Sequence, residues 1–353
     1  MSGRVESRNG GRRVLLAHGG GGELMHRLIR DHLVPPLDNE LLAPLSDGAV
    51  LPDPKGRLVI TTDSYVVTPL EFPGGDIGRL AVVGTVNDLA VMGAAPVALS
   101  LGLILEEGLP LTVLDRVMAS IGATAEEAGV PVVTGDTKVI ERRRVEEGGN
   151  RLAADGLFIN TAGLGRLRPG VRLGTDRVKP GDAILVNGPL AEHGLAVLSV
   201  RDGLEFESAL RSDAAPLNSL IDRVLDTGAD VKFLRDATRG GLANVLVDIS
   251  ESREVSIEVD ERQVPVAPAT RHAADLLGLD PLTVANEGKV VCVVCSESVS
   301  VALAAFRDHP LGRQAVCIGC VTGAQPPLVE LRTRAGGRRI VQRPYGEELP
   351  RIC

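Results

Sequence analysis

Short apolar runs of strand length alternate with helical periods in two separate stretches of this sequence, and few folds accommodate that grammar twice. The first stretch has strand composition over Arg57–Pro69, helical spacing over Arg79–Met92 and Leu111–Ala128, and a strand at Val130–Val133. The second has a strand at Ala183–Val186, helices from Glu192 and over Gly241–Ser250, and strands near Val255–Val259, Val290–Val294 and Ala315–Val321. Between them Gly165–Asp182 is rich in Arg, Pro and Gly and reads as a linker. A layered α+β or α/β architecture in two domains is expected, which suits 353 residues. The longest apolar run, Leu89–Leu105, is broken by Gly93, Pro96 and Gly102, so it reads as a helix end, a turn and a buried strand, not a membrane span.

Composition narrows the function. With 38 basic and 46 acidic residues the net charge is −8, and aromatics are 2% with no Trp. Neither nucleic acid nor an anionic membrane is an expected partner, because such surfaces ask for basic patches or stacking platforms. The first thirteen residues lead into no apolar core of a secretory signal, and the five cysteines are an odd number, so a reducing cytoplasm is expected.

Carboxylates recur at the ends of strand-like segments: Asp47, Asp63, Asp88, Asp136 and Asp236. Each lies beside apolar residues, where an unpaired charge is expensive. For one aspartate a helix cap or turn is the plainer account, but five at such ends call for something positive. Oxygen-only donors without His or Cys suit a hard cation such as Mg²⁺, which commonly accompanies nucleotide phosphates. The loop His18-Gly19-Gly20-Gly21-Gly22 lies between an apparent strand, Val14–Ala17, and a helix over Glu23–Leu33, an order that cradles phosphate, although no Lys-Ser or Lys-Thr comes after it as in a Walker loop. Asp236-Ala-Thr-Arg239-Gly240-Gly241 opens a helix with free N–H groups and an arginine. Lysine is scarce, at five positions, and Lys138 stands two residues after Asp136. Glu287 and Lys289 precede the apolar strand at Val290, and Glu287 becomes a candidate general base if burial raises its pKa.

Thr61-Thr-Asp-Ser64, Gly84-Thr-Val-Asn-Asp-Leu-Ala-Val-Met-Gly-Ala94, Thr134-Gly-Asp-Thr-Lys138, Arg235-Asp-Ala-Thr-Arg-Gly-Gly241 and Pro350-Arg-Ile-Cys353 together resemble the HypE family of hydrogenase maturation proteins. That family sits in the ATP-using superfamily of aminoimidazole ribonucleotide synthetase and selenophosphate synthetase. The resemblance spans about residues 14–353; the internal motifs point to the superfamily, and Pro-Arg-Ile-Cys to this member. It implies an α+β, two-domain fold of the aminoimidazole ribonucleotide synthetase type with an extended C-terminal tail. Residues 1–44 would be a flexible N-terminus with the Gly-rich loop and a helix, 45–165 the ATP-binding and dimerisation domain, 175–330 a C-terminal α/β domain, and 331–353 a mobile tail. It implies a homodimer, ATP and Mg²⁺, with Asp47, Asp63, Asp88 and Asp236 as metal-binding aspartates. Asn87, Asp136, Lys138 and the loop from His18 to Gly22 fall at positions around nucleotide and phosphates, beside Asp63, Asp88, Asp236, Arg239 and Gly240.

The activity implied is ATP-dependent dehydration of a carbamoyl group carried on Cys353 to a thiocyanate, for the iron of nickel-iron hydrogenase. HypF is the implied carbamoyltransferase and HypC with HypD the receiving scaffold. Cys353, Glu287, Lys138 and His193 are the catalytic candidates, His193 within Glu192-His193-Gly194 where the family has Asp-His-Gly. Two other readings stand beside this one. A selenophosphate synthetase or small-molecule kinase would need no terminal cysteine, and the former wants a cysteine in the glycine loop, which has none. A zinc scaffold could use Cys292/Cys295 and Cys317/Cys320, although residues three apart on a strand point to opposite faces, which favours structural thiols.

Overall fold

The structure, a computed structural model, describes residues 13–20, 22–46, 48–53, 55–141, 156–204, 210–344 and 351–352. Its N-terminal part contains α1 (Glu23–Leu28), β1 (Leu58–Tyr65), the two-residue strands β2 (Glu71–Phe72) and β3 (Gly75–Asp76), α2 (Ile77–Val91), β4 (Ala94–Glu106), α3 (Leu111–Ala128), β5 (Val132–Ile140) and β6 (Leu157–Leu167). Four of these strands form a sheet in the order β1-β6-β4-β5, in which only β4 and β5 run parallel, joined by α3. Helix α3 presents Leu111, Leu114, Val117, Met118, Ile121 and Ala125 to the core at the spacing that puts one face inward. Helix α2 is buried nearly all round because it lies between this sheet and the second domain, where its Ala90 and Val91 join the second domain's core.

The second domain contains β7 (Ala183–Val186), α4 (Glu192–Arg201), α5 (Asn218–Asp226), β8 (Val231–Asp236), α6 (Gly241–Arg253), β9 (Ser256–Asp260), α7 (Pro268–Leu277), β10 (Val290–Val294), α8 (Val299–Arg307), β11 (Val316–Thr322), β12 (Val329–Arg332) and β13 (Arg338–Val341). The sheet order is β13-β12-β9-β11-β7-β10-β8. Helix α6 packs Leu242, Val245, Leu246 and Ile249 on one face of it, while α5 and α8 pack Leu220, Ile221, Val224 and Phe306 on the other. Strands buried on both faces read as unbroken apolar runs, as β7 and β10 do.

Three expectations are corrected. Val14–Ala17 is not a strand: Arg13 makes an isolated bridge to Pro110, and Leu16–Gly19 is a 3₁₀ turn. The linker begins after Leu167, because β6 continues to that residue. The mobile stretch does not begin at 331, since β12 and β13 form a hairpin on the sheet with Gly336 at its turn. Residues 345–350 and 353 lie outside the described residues. Among the described residues no helix is long and apolar enough to cross a membrane.

Candidate active site

Four carboxylates converge where the two domains meet. Asp63 is carried by β1, Asp88 by α2, Asp236 by the last position of β8, and Glu287 by the loop before β10, whose Val290 pairs with Asp236. Thr61 donates from Oγ1 to Asp88 Oδ2 at 2.7 Å, fixing that carboxylate toward β1. Crowding shows in the protonation equilibria. Asp236 is pushed up to about 7 by desolvation, then by the charges of Asp88 and Asp63. Asp88 is raised by burial, with Asp63 adding to it. Glu287, 3% exposed, is held well above the carboxylate range by desolvation and by Asp236, Asp213 and Asp63. Its Oε1 is buried without a hydrogen-bond partner. Tyr65, the buried last residue of β1, has its phenol raised by desolvation and by Asp63, Glu287 and Asp88.

A buried, unmatched oxygen among three further carboxylates is a site short of positive charge. Positive charge comes from the exposed Arg239, whose Nη2 lies 3.9 Å from Asp63 Oδ1, and from Arg235, which acts on Asp88 and Asp236. An all-oxygen donor set of this kind fits a hard cation. No three His, Cys, Asp or Glu side chains among the described residues come close enough to cage an ion unaided, so further oxygen ligands are required.

Beside the cluster lies a second, fully paired group that sequence reasoning missed. Asp213, its side chain 2% exposed, accepts from Glu287 N and Gly288 N at 3.1 Å each and from Lys289 Nζ at 2.9 Å. Burial alone would raise Asp213, but Lys289 and His193 outweigh it and hold the carboxyl low. Lys289 also reaches Glu192 Oε2 at 3.4 Å. Gly288 is required here, because a Cβ would meet Asp213 O at 2.0 Å. The signal was available: Asp213 precedes Ala-Ala-Pro-Leu, the same charge-beside-apolar pattern as the five aspartates already singled out.

His193 is fully buried and edge-on to Phe72, with ring centroids 5.4 Å apart. Its Nε2 lies 2.9 Å from the carbonyl of Ile352 and its Nδ1 2.8 Å from Ser212 Oγ. A carbonyl only accepts, so Nε2 carries the proton and Ser212 donates to Nδ1. Desolvation lowers the His193 pKa, in keeping with a neutral ring. The end of the chain thus docks at the junction: Ile352 is buried in the N-terminal core, Arg351 Nε donates to Val66 O at 2.9 Å, and Thr68 N donates to Arg351 O at 3.2 Å.

Other candidates fall elsewhere. Asn87 is a brace between domains: its amide donates to Ala215 O and Glu287 O and accepts from Leu217 N. Asp136 and Lys138 form an exposed ion pair at 2.5 Å on β5, the edge strand opposite β1, and on the other face of the sheet from Asp63. Three strand spacings make that separation about 14 Å. This chain does not bring Lys138 to Glu287. His18, whose Nδ1 accepts from Leu15 N, and Gly19, packed on Val139, place the glycine loop against β5 as well; Gly20 comes next in that turn and Gly22 caps α1. Gly240, at φ 76°, caps α6. Gly21, Asp47 and Cys353 lie outside the described residues.

The paired cysteines do not converge on one point. Cys292 and Cys317 both lie opposite Leu185, on either side of β7, roughly 9.6 Å apart by strand spacing, too far to share a zinc with bonds of about 2.3 Å. A bulge between Cys317 and Gly319 turns Cys317 and Cys320 to the same face, correcting the expectation of opposite faces; Cys320 is exposed, not a core thiol. Cys292 is the buried one, its thiol pushed up to about 12 by desolvation.

Two such domains with carboxylates at their junction define a protein of the AIR synthase-related class: the model of its N-terminal domain matches residues 45–167 and that of its C-terminal domain residues 179–330. The chain is 46% identical over 342 residues to carbamoyl dehydratase HypE of Rhizobium leguminosarum bv. viciae, covering 97% of this chain and 95% of that one. It is 45% identical, with a TM-score of 0.89, to hydrogenase maturation protein HypE in a crystal structure with ATP, covering 96% of this chain and 99% of that one. A chain from a crystal structure of a HypE–HypF complex is 41% identical with a TM-score of 0.76, covering 92% and 100%. The chain belongs to the HypE family of carbamoyl dehydratases.

Proposed function

We propose that this chain uses ATP to dehydrate a carbamoyl group carried by Cys353 to a thiocyanate, supplying cyanide for the iron of nickel-iron hydrogenase. The observation that carries this is the dock of Arg351 and Ile352: it seats the residue before Cys353 on His193, beside Val66 of the segment leaving β1 and two steps from Asp213 and Glu287.

A thiocarbamate amide does not lose water unaided, because hydroxide is a poor leaving group. Its carbonyl oxygen attacks the γ-phosphorus of ATP and ADP departs; loss of one N–H proton leaves an O-phosphorylated imidate. Breaking the C–O bond then expels phosphate as the second N–H proton leaves and the C≡N bond closes. Glu287, whose buried Oε1 has no hydrogen-bond partner, is the proposed acceptor of an N–H proton. Arg239 and the N–H groups opening α6 face the phosphoryl charge. Asp63, Asp88 and Asp236, with Asp47, would hold Mg²⁺ jointly with the nucleotide, and the ion when bound neutralises phosphate charge. His193 positions the tail, and Asn87 holds the two domains in register.

Asp136, Lys138 and the loop His18–Gly22 would contact nucleotide from the β5 side, and Lys138 could serve the phosphates only across a pairing of two chains. HypF is the proposed source of the carbamoyl group, since a relative is known in complex with HypF, and HypC with HypD the proposed acceptors of cyanide.

The test is mass spectrometry of the C-terminal peptide after incubation with carbamoyl phosphate, ATP and the carbamoyltransferase. A carbamoyl adduct on Cys353 that loses one water in the presence of ATP is expected. Cys353→Ala should show neither adduct while keeping ATP affinity within about twofold, because the thiol lies outside the nucleotide cradle. A wild-type chain that never loses water from its adduct would overturn the reading.

A further inference from the structure

We infer that Ser212 and Asp213 form a joint that couples seating of the tail to the positioning of Glu287. The inference rests on the function proposed above and adds two positioning residues to it. Ser212 donates to His193 Nδ1, and that bond fixes the tautomer whose Nε2–H grips the carbonyl of Ile352. The next residue, Asp213, uses both carboxylate oxygens on the backbone of the loop that carries Glu287, one on Glu287 N and one on Gly288 N. One peptide unit therefore separates the contact that holds the tail from the contact that holds the proposed base.

The joint is built to move as one piece. Ser212 N donates to Pro73 O, and Ser212 Oγ also accepts from Ala214 N at 3.1 Å, so the serine is tied into both domains. Ala214 O in turn accepts from Arg79 Nε of α2. Asp213 is pinned by Lys289, and Lys289 by Glu192, the neighbour of His193. Side chains 192, 193, 212, 213 and 289 thus close a ring of contacts around the tail dock with no buried polar atom left over, in contrast to the unpartnered oxygen of Glu287. Buried networks satisfied at every member rigidify what they hold. A tail that leaves its dock releases His193 Nε2, and the nearest elements able to respond are Ser212 and the loop behind Asp213.

The chemical consequence is order. Glu287 is held in its productive position while the tail is docked, so proton abstraction is favoured with the thiocarbamate in place.

The experiment uses the full chain, carbamoylated on Cys353, and tracks water loss after Mg-ATP addition in single turnover, alongside alkylation of the uncarbamoylated Cys353 thiol as a measure of tail seating. Ser212→Ala, which touches no atom of Glu287, should slow dehydration about tenfold, the kinetic equivalent of one lost buried hydrogen bond. Asp213→Asn, which touches no atom of the tail, should speed alkylation of Cys353 several-fold and shift the acid limb of the dehydration rate profile. Ser212→Ala dehydrating within twofold of wild type, or Asp213→Asn leaving alkylation unchanged, overturns the joint. If Asp213→Asn does not fold, Ser212→Ala alone decides. A wild-type chain that forms no thiocyanate instead sinks the proposed function, and the two failures are told apart in the same assay.

Discussion

Asp236 is the residue whose environment has the clearest thermodynamic signature. Its pKa of about 7 in the folded chain exceeds the ordinary carboxylate value, because desolvation and the charges of Asp88 and Asp63 disfavour its anion. Between about 4 and 7 the folded state therefore binds more protons than the unfolded state, so stability falls as pH rises through that window. At pH 8 the full cost is present. Asp236→Asn, isosteric and uncharged, should raise the thermal midpoint at pH 8 by more than at pH 5, and Mg²⁺ should stabilise the wild type at pH 8 but not the variant. Calorimetry showing one constant offset at both pH values would remove the carboxylate cluster as its cause. At this scale Asp63, Asp88, Asp236 and Glu287 were legible because a charge beside an apolar run is conspicuous. The partnership of Asp213 with Lys289 was not, since 76 residues separate them and no local pattern announces the pairing.

Periodic apolar segments betray elements whose faces are buried by the fold. Helix α3 was readable to its terminal residues, and the run Leu89–Leu105 resolved into the end of α2, a turn and β4 as expected. Strand β13 was hidden because Arg338-Arg-Ile-Val341 is an exposed edge strand whose only partner among the described residues is β12, so its composition reports solvent, not pairing. That places Gly336 and Gly337 at the turn of the hairpin. Gly336 sits at φ 90° and donates to Thr333 O, while Thr333 N donates to Gly337 O. Proline at 336 cannot adopt a positive φ and has no N–H, so Gly336→Pro should destabilise the chain by more than about 1 kcal/mol. Arg343, further along, is itself anchored on α6 by Asp248 and Glu251. Gly336→Pro should therefore lower the thermal midpoint while leaving the ratio of carbamoylation to dehydration rates unchanged. A changed ratio would show that the hairpin itself moves with the tail.

The two sheets differ in a way that bears on the whole molecule. The seven-stranded sheet has helices on both faces, whereas the described helices of the four-stranded sheet all lie on one, the face that carries Tyr65 and Leu101. The other face displays Leu58, Ile60, Ile104 and Ile140, with Ile60 78% exposed, interleaved with Thr62, Ser64, Asn160, Asp136 and Lys138. We propose that this face, on which apolar and polar side chains alternate, pairs with a second copy of the chain about a two-fold axis. Pairing would also give Asp136 and Lys138 something to meet, since within one chain they stand about 14 Å across the sheet from Asp63. Ile60→Asp places a charge from each copy on the most exposed apolar residue of that face and should convert the chain to a monomer in sedimentation. If nucleotide contacts from the β5 side come from the partner, the monomer should also lose ATP affinity by about tenfold or more, while Arg351 and Ile352, docked within their own chain, keep Cys353 protected from alkylation. A monomer that binds ATP as the wild type does would assign the whole nucleotide site to one chain and leave Lys138 a surface residue; a dimer that survives Ile60→Asp would place the interface on another surface.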